Sequence, residues 1–393
     1  MKRILVLFMA VLAVLPCAAV EAAPSLLPFN PQWTADDVRD LVKAGADVNA
    51  RTQEGTSGLV ETVEFGRDLQ ISGAEITEEL EELVTQILTQ GDFTPLMLAA
   101  GFSTDIEVIR VLIDEGAKIN ARTQDGLTPL MCAAMIFSNN PEVIEVLIKA
   151  GANVDMGDEG GETALMVAAL TNPNADIIKA LVEAGADVNA RNQNGETPLM
   201  CAAMTFNDNP EVIDVLAKAG ANVNARDQIG KTPLMHAVKH RKKLKAIKIL
   251  IAAGSDVNAK AKYGTTPLMD AAKFNDNPEV IEILIKAGAW VNARDGIEGT
   301  ALREAAQWNN NPEVIRALIM AGAWLNVKDI LGWTPLMWAA RHNQNPEVIR
   351  VLLNAGADGR LKTGKGETAF DYAKDNPAIK DTDVHWLLHD AQF

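Results

Sequence analysis

Thr-Pro-Leu or Thr-Ala-Leu recurs at Thr94, Thr128, Thr163, Thr197, Thr232, Thr266, Thr300 and Thr334, always 34 or 35 residues apart, and a Thr-Ala-Phe variant closes the series at Thr368. A second mark, Ala-Gly-Ala or a near variant, keeps pace at Gly116, Gly151, Gly185, Gly220, Gly254, Gly288, Gly322 and Gly356. Two marks in register over eight cycles constrain the chain more than any composition does. A repeat of this length is one supersecondary unit that cannot bury its own apolar face, so the units must stack. The 393 residues therefore need no division into separate globular domains.

The cycle from Thr128 to Glu162 shows how the residues make structure. Thr128 suits a helix cap, and Pro129 suits the first helical position, where no amide donor is needed. Leu130, Ala133 and Ala134 then fall on one face, and the alanines let another helix approach closely. Asn140, Pro141 and Glu142 start a second helix with a cap, a first-turn proline and an acid at the positive end of the dipole. Val143, Ile144, Leu147 and Ile148 form its apolar stripe, with Glu142, Glu145 and Lys149 on the solvent side. Gly151 ends it in the left-handed conformation. An extended link and a Gly-containing turn lead to the next cap. Neither helix is long enough to be stable alone.

Thr-Pro-Leu-x-x-Ala-Ala, the second helix and Gly-Ala-x-Val-Asn-Ala-Arg together resemble the ankyrin repeat. The resemblance implies an all-α repeat solenoid: stacked helix-turn-helix units joined by extended finger turns. It covers residues 94–367 as eight repeats, with residues 23–93 as an N-terminal cap of degenerate repeats and 368–393 as a C-terminal capping repeat. Thr34 to Ala50 reads as a lone second helix, Ser57-Gly58-Leu59 as a worn helix start, and about Glu75 to Thr89 as a helix. One departure is systematic. Where the family usually carries His, this chain carries Met97, Met131, Met166, Met200, Met235, Met269 and Met337, with Arg303 as the exception. A methionine there is expected only to pack.

Residues 1–22 read as a secretory signal: Lys2 and Arg3, an apolar run from Ile4 to Leu15, Pro16, then small residues with cleavage after Ala22 or Ala19. An uncleaved anchor and a lipid-modified Cys17 are the alternatives. The chain carries a formal net charge of −16, or −17 without the first 22 residues. That field repels nucleic acid and anionic membrane, and it also keeps a long solenoid soluble. After signal cleavage the expectation is a soluble, exported monomer that uses neither nucleic acid nor membrane. Cys132 and Cys201 stand two repeats apart, on the order of 20 Å, beyond the reach of a disulfide, and are expected to be buried thiols.

No phosphate loop, nucleophile elbow or paired-cysteine motif is present in the sequence, so no catalytic residue, metal ligand or cofactor is assigned. His385 and His389 are four apart but lack a third ligand. The informative positions vary while the scaffold repeats. One column follows the methionine: Leu98, Cys132, Val167, Cys201, His236, Asp270, Glu304, Trp338, Tyr372. In ankyrin proteins the first helices and fingers line a concave groove, so by resemblance this column faces that groove. Two clusters add to it. Trp290, Trp308, Trp324, Trp333 and Trp338 crowd into one stretch, with Arg341 and His342 following; Trp290 and Trp324 replace polar residues and are expected to be exposed. Lys239, Arg241, Lys242, Lys243 and Lys245 reverse the local charge, either as a solvated loop or as a site for an acidic or phosphorylated partner.

These features point to a non-catalytic, protein-binding scaffold acting outside the cytoplasm, periplasmic or secreted. Alternatives are an inhibitor or protective subunit of an exported enzyme, a secreted effector, a structural spacer, or a metal-dependent sensor. The candidate partner-binding residues are His236, Lys239, Arg241, Lys242, Lys243, Asp270, Trp290, Glu304, Trp308, Trp324, Trp333, Trp338, Arg341 and His342.

Overall fold

A computed structural model describes residues 33–51, 92–103, 105–135, 140–205 and 210–393. The signal segment, the worn helix start at Ser57 and the helix expected at Glu75 to Thr89 lie outside the described residues. The chain forms two compact units, Met1–Gln193 and Asn194–Phe393.

In the first unit, α1 (Ala35–Lys43) packs on α3 (Ile106–Asp114), as a second helix packs on the next second helix. The pairs α2 (Pro95–Phe102) with α3, α4 (Pro129–Ala134) with α5 (Pro141–Lys149), and α6 (Ala164–Thr171) with α7 (Ala175–Glu183) follow. The second unit holds six pairs among the described residues. They are α8 (Pro198–Met204) with α9 (Pro210–Lys218), α10 (Pro233–Ala237) with α11 (Leu244–Ala252), and α12 (Pro267–Phe274) with α13 (Pro278–Lys286). Then come α14 (Ala301–Trp308) with α15 (Pro312–Met320), α16 (Pro335–His342) with α17 (Pro346–Asn354), and α18 (Ala369–Ala373) with α19 (Asp383–Asp390). Lys374, Asp375, Lys380, Asp381 and Asp383 are exposed on the last pair.

Every first helix from α2 to α16 starts the same way. The repeat threonine accepts the N–H three residues on, from 3.2 Å at Thr128–Met131 to 3.4 Å at Thr334–Met337. Asn caps start most second helices, as where Asn140 Oδ1 accepts from Glu142 N at 3.0 Å. Two of the methionines do more than pack. Met97 Sδ accepts from Thr94 N at 3.5 Å and Met337 Sδ from Thr334 N at 3.4 Å, a weak sulfur version of a reciprocal cap. That corrects the expectation that methionine makes no polar tie.

Two asparagine columns join successive repeats. The first lies in the turn after each second helix. Asn120 Oδ1 accepts from Asn153 N at 2.8 Å while its Nδ2 donates to Gly151 O at 3.0 Å, where Gly151 ends α5 at φ +95°. Asp155 holds the same place one repeat on, accepting from Asp187 N at 2.9 Å. Its carboxylate has no proton for Gly185 O, and it sets negative charge at the negative end of α7. Asp155→Asn is therefore expected to stabilise the first unit by about 0.5–1.5 kcal/mol. Urea denaturation checks this; a midpoint unchanged or lowered would refute the ladder's role.

The second column lies just past α6, α12, α14, α16 and α18 and is buried. Asn309 Nδ2 donates to Ala272 O at 2.9 Å and to Asn275 O at 2.8 Å. Asn172, Asn275, Asn343 and Asn376 likewise donate to carbonyls at the end of the preceding first helix. These amides satisfy helix-end carbonyls that water cannot reach.

Candidate functional site

In the second unit, the fingers and first helices are tied by a carboxylate that serves both. Asp329 Oδ1 accepts from Leu331 N at 2.9 Å and Trp333 N at 3.0 Å, closing the finger. Its other oxygen accepts from Trp338 Nε1 at 2.7 Å. Asp227 repeats the arrangement: Oδ1 takes Ile229 N at 3.0 Å and Lys231 N at 2.8 Å, and Oδ2 meets His236 Nε2 at 3.0 Å. Burial pushes the Asp227 carboxyl up, but the His236 bond and the finger N–H groups outweigh it and hold it below the usual carboxylate range.

This geometry corrects the reading of the variable column. His236, Asp270, Glu304 and Trp338 are buried, as are Leu98, Cys132, Val167 and Cys201; Tyr372 alone in the column is half-buried. The polar members have partners inside the protein. Lys231 pairs with Asp270 at 3.1 Å, and Lys273 reaches Glu304 Oε2 at 3.3 Å without hydrogen-bond alignment. Arg303 pairs with Glu304 and lays its guanidinium 4.7 Å from the Trp338 ring centroid. His236 and Trp338 match their own fingers, and Asp270 and Glu304 match lysines of the preceding repeat, so variation alone does not mark exposure. Both cysteines are buried thiols, and burial pushes the Cys132 thiol up to about 12.

The tryptophans fall into separate groups. Trp333 packs at a tilt against Tyr372 at 4.0 Å and Trp338 at 4.7 Å, with His342 at 5.4 Å from Trp338 and 6.4 Å from Trp308. Burial, then Arg341 and Arg303, hold the His342 imidazole below its ordinary value. Arg341 itself is paired with Asp375 at 2.5 Å. Trp290 and Trp324 sit elsewhere, in the turns that follow α13 and α15, where their backbone N–H groups complete the asparagine ladder. Both are exposed as expected, at 62% and 54%. Among the described residues neither joins the Trp333 cluster; Trp324 lies 6.0 Å from the Arg294 guanidinium.

The basic junction is also divided. Lys243 is fully buried, and its Nζ donates to Ala202 O and Thr205 Oγ1, both at 2.7 Å. It does for α8 what an asparagine amide does for other first helices, from a position two residues later and on a longer stem. Lys243 is thus removed from the candidate contact surface. Lys239, Arg241 and Lys242 remain at the surface, where they meet one of the tryptophans, Trp308. A cleft of about 600 Å³ is lined by Lys239, Arg241, Lys242, Lys273, Phe274 and Trp308, with His240, Asp276, Asn309 and Asn310 completing it. Lys273 lies 5.3 Å from the Phe274 ring and 5.2 Å from Trp308, and Lys239 lies 5.5 Å from Phe274. Arg241 Nε donates to Asp276 Oδ1 at 2.7 Å. Burial, then the neighbouring Lys231, pull the Lys239 ammonium down to about 8. Phe274 was missed in the sequence; only its place one residue before the buried Asn275 marks it, the same place Trp308 holds before Asn309.

A family model described as ankyrin repeats in three copies matches residues 71–158, 96–192, 130–227, 206–295 and 299–392. The chain belongs to the ankyrin-repeat family. Among solved structures, the human ASB11 ankyrin repeat domain is similar at 28% identity and a TM-score of 0.51, over 58% of this chain and 98% of that one. No curated protein matches the chain. Ankyrin proteins are in general non-catalytic binding scaffolds, and the family shares a backbone rather than a ligand. What this ankyrin chain recognises has therefore to be argued from its own side chains.

Proposed function

We propose that this ankyrin protein is an exported scaffold that binds one protein partner as a monomer, with its main contact in the cleft between Lys239 and Asn310. The observation that carries the reading is the convergence of the exposed rings of Phe274 and Trp308 with Lys239, Arg241 and Lys242. Exposed aromatic area beside cations is costly to leave open and is the usual composition of an interface anchor. Export rests on the signal pattern of residues 1–22.

A photo-reactive residue at Lys242, compared with one at Lys149 on the solvent side of α5, tests the contact. Adducts with a single partner from position 242 and none from 149 are expected. Equal labelling from both would refute the cleft as the contact. The natural protein should begin near Ala23 by mass spectrometry; retention of residues 1–22 in the exported pool would refute signal cleavage.

A further inference from the structure

The chemistry of the cleft narrows the kind of partner. Its lining carries four cations, Lys239, Arg241, Lys242 and Lys273, against the single carboxylate of Asp276. Asp276 is already held by Arg241, and Lys273 leans toward Glu304. Among the described residues Lys239 and Lys242 form no direct ion pair, so the lining of the cleft carries a surplus of positive charge in a chain of net charge −16. The floor is aromatic. Phe274 and Trp308 are 53% and 52% exposed, and the flanking lysines lie over their faces. A volume of about 600 Å³ exceeds one inorganic anion and suits two or three side chains.

We propose that this cleft takes an acidic linear segment of the partner, with Asp or Glu carboxylates on Lys239, Lys242 and Lys273 and an aromatic residue on the Phe274–Trp308 floor. The inference rests on the reading of the cleft as the contact surface. Carboxylates complement ammonium groups, and an aromatic side chain covers the exposed part of the Phe274 and Trp308 rings. A single-stranded nucleic acid also needs stacking rings and cations, but its phosphates need a continuous positive track. Here Asp276 and the exposed Glu279 interrupt such a track, so the cleft is one site long.

The ammonium of Lys239 faces Lys231 and Asp227 from the finger and Asp270 from α12, with His240 and Lys273 close by in the cleft. It is protonated below about 8 and loses its charge above, so affinity for an anionic segment should decline as pH rises from 7 to 9.

The test uses the full chain without residues 1–22 and a fluorescent, end-capped peptide Asp-Glu-Phe-Glu-Asp. Binding by anisotropy is expected to weaken steeply with salt. Lys239→Gln with Lys242→Gln should weaken it about tenfold and Trp308→Ala about tenfold or more, while Trp324→Ala leaves it unchanged. Melting temperatures of the variants establish that each is folded. The proposal is overturned if the double lysine variant binds as the parent does, or if a peptide with Lys in place of Asp and Glu binds equally. It is also overturned if a thymidine 12-mer binds more tightly at physiological salt, which would make the cleft a nucleic-acid site. Cross-linking from Lys242 without peptide binding sinks the acidic segment and leaves the contact surface standing; peptide binding without cross-links at Lys242 does the reverse.

Discussion

Asn343→Asp is expected to destabilise the last repeats by about 4 kcal/mol, more than Asn343→Ala at about 3 kcal/mol. Asn343 is 1% exposed. Its Nδ2 donates to Ala306 O at 2.9 Å and Asn309 O at 3.0 Å, and its Oδ1 accepts from Asn345 N at 2.9 Å. Alanine leaves two buried carbonyls and one part-buried N–H without their partner, each buried group costing about 1–3 kcal/mol before relaxation. Aspartate keeps the acceptor but turns an oxygen toward the two carbonyls, adding repulsion and a buried charge. The near-isosteric change is thus the worse one, opposite to the order expected from size alone. Urea unfolding gives the magnitude, and hydrogen exchange should place the loss in α14 to α18. Equal stability of Asn343→Asp and the parent would show that the buried column does not hold the repeats together.

Trp338→Ala is expected to cost about 3–5 kcal/mol in stability. The indole is 9% exposed, packs against Trp333 and His342, lies under Arg303 and donates to Asp329. Its loss empties a buried site and leaves one Asp329 oxygen without that donor. Trp338→Phe keeps most of the ring and loses the Nε1 bond, so about 1–2 kcal/mol is expected. Trp308→Ala removes a half-exposed ring, so its stability change should stay within about 1 kcal/mol while its effect appears in binding. Melting temperature and affinity measured on the same three variants separate a structural from a contact role. A Trp338→Ala protein that melts with the parent but binds poorly would return Trp338 to the partner surface.

The helices were legible because their signals are local. A threonine and the N–H three residues on, an asparagine and the N–H two residues on, and a glycine at the helix end all act within one turn. Trp290 and Trp324 were read as exposed by comparing equivalent positions that elsewhere hold Asp or Asn, and that comparison works because stacked repeats share one environment per position. The same logic misled at the column of His236, Asp270, Glu304 and Trp338. Variation there was taken, with the resemblance, to mark the groove, whereas these side chains face a finger carboxylate or a lysine of a neighbouring repeat inside the protein.

The sequence by itself determined the repeat, its period, its caps and the apolar stripes, because those follow from dihedral preferences and hydrogen bonds between near neighbours. Only the tertiary structure decided which basic and aromatic residues share a site. Lys243 and Lys242 are adjacent in the chain, yet one reaches back to Ala202 and is buried while the other opens on the cleft. Lys239, Lys273 and Trp308 stand in three successive repeats, and stacking brings them to a single cleft. Side-chain reach across a repeat boundary set that outcome, and a period in sequence does not encode reach.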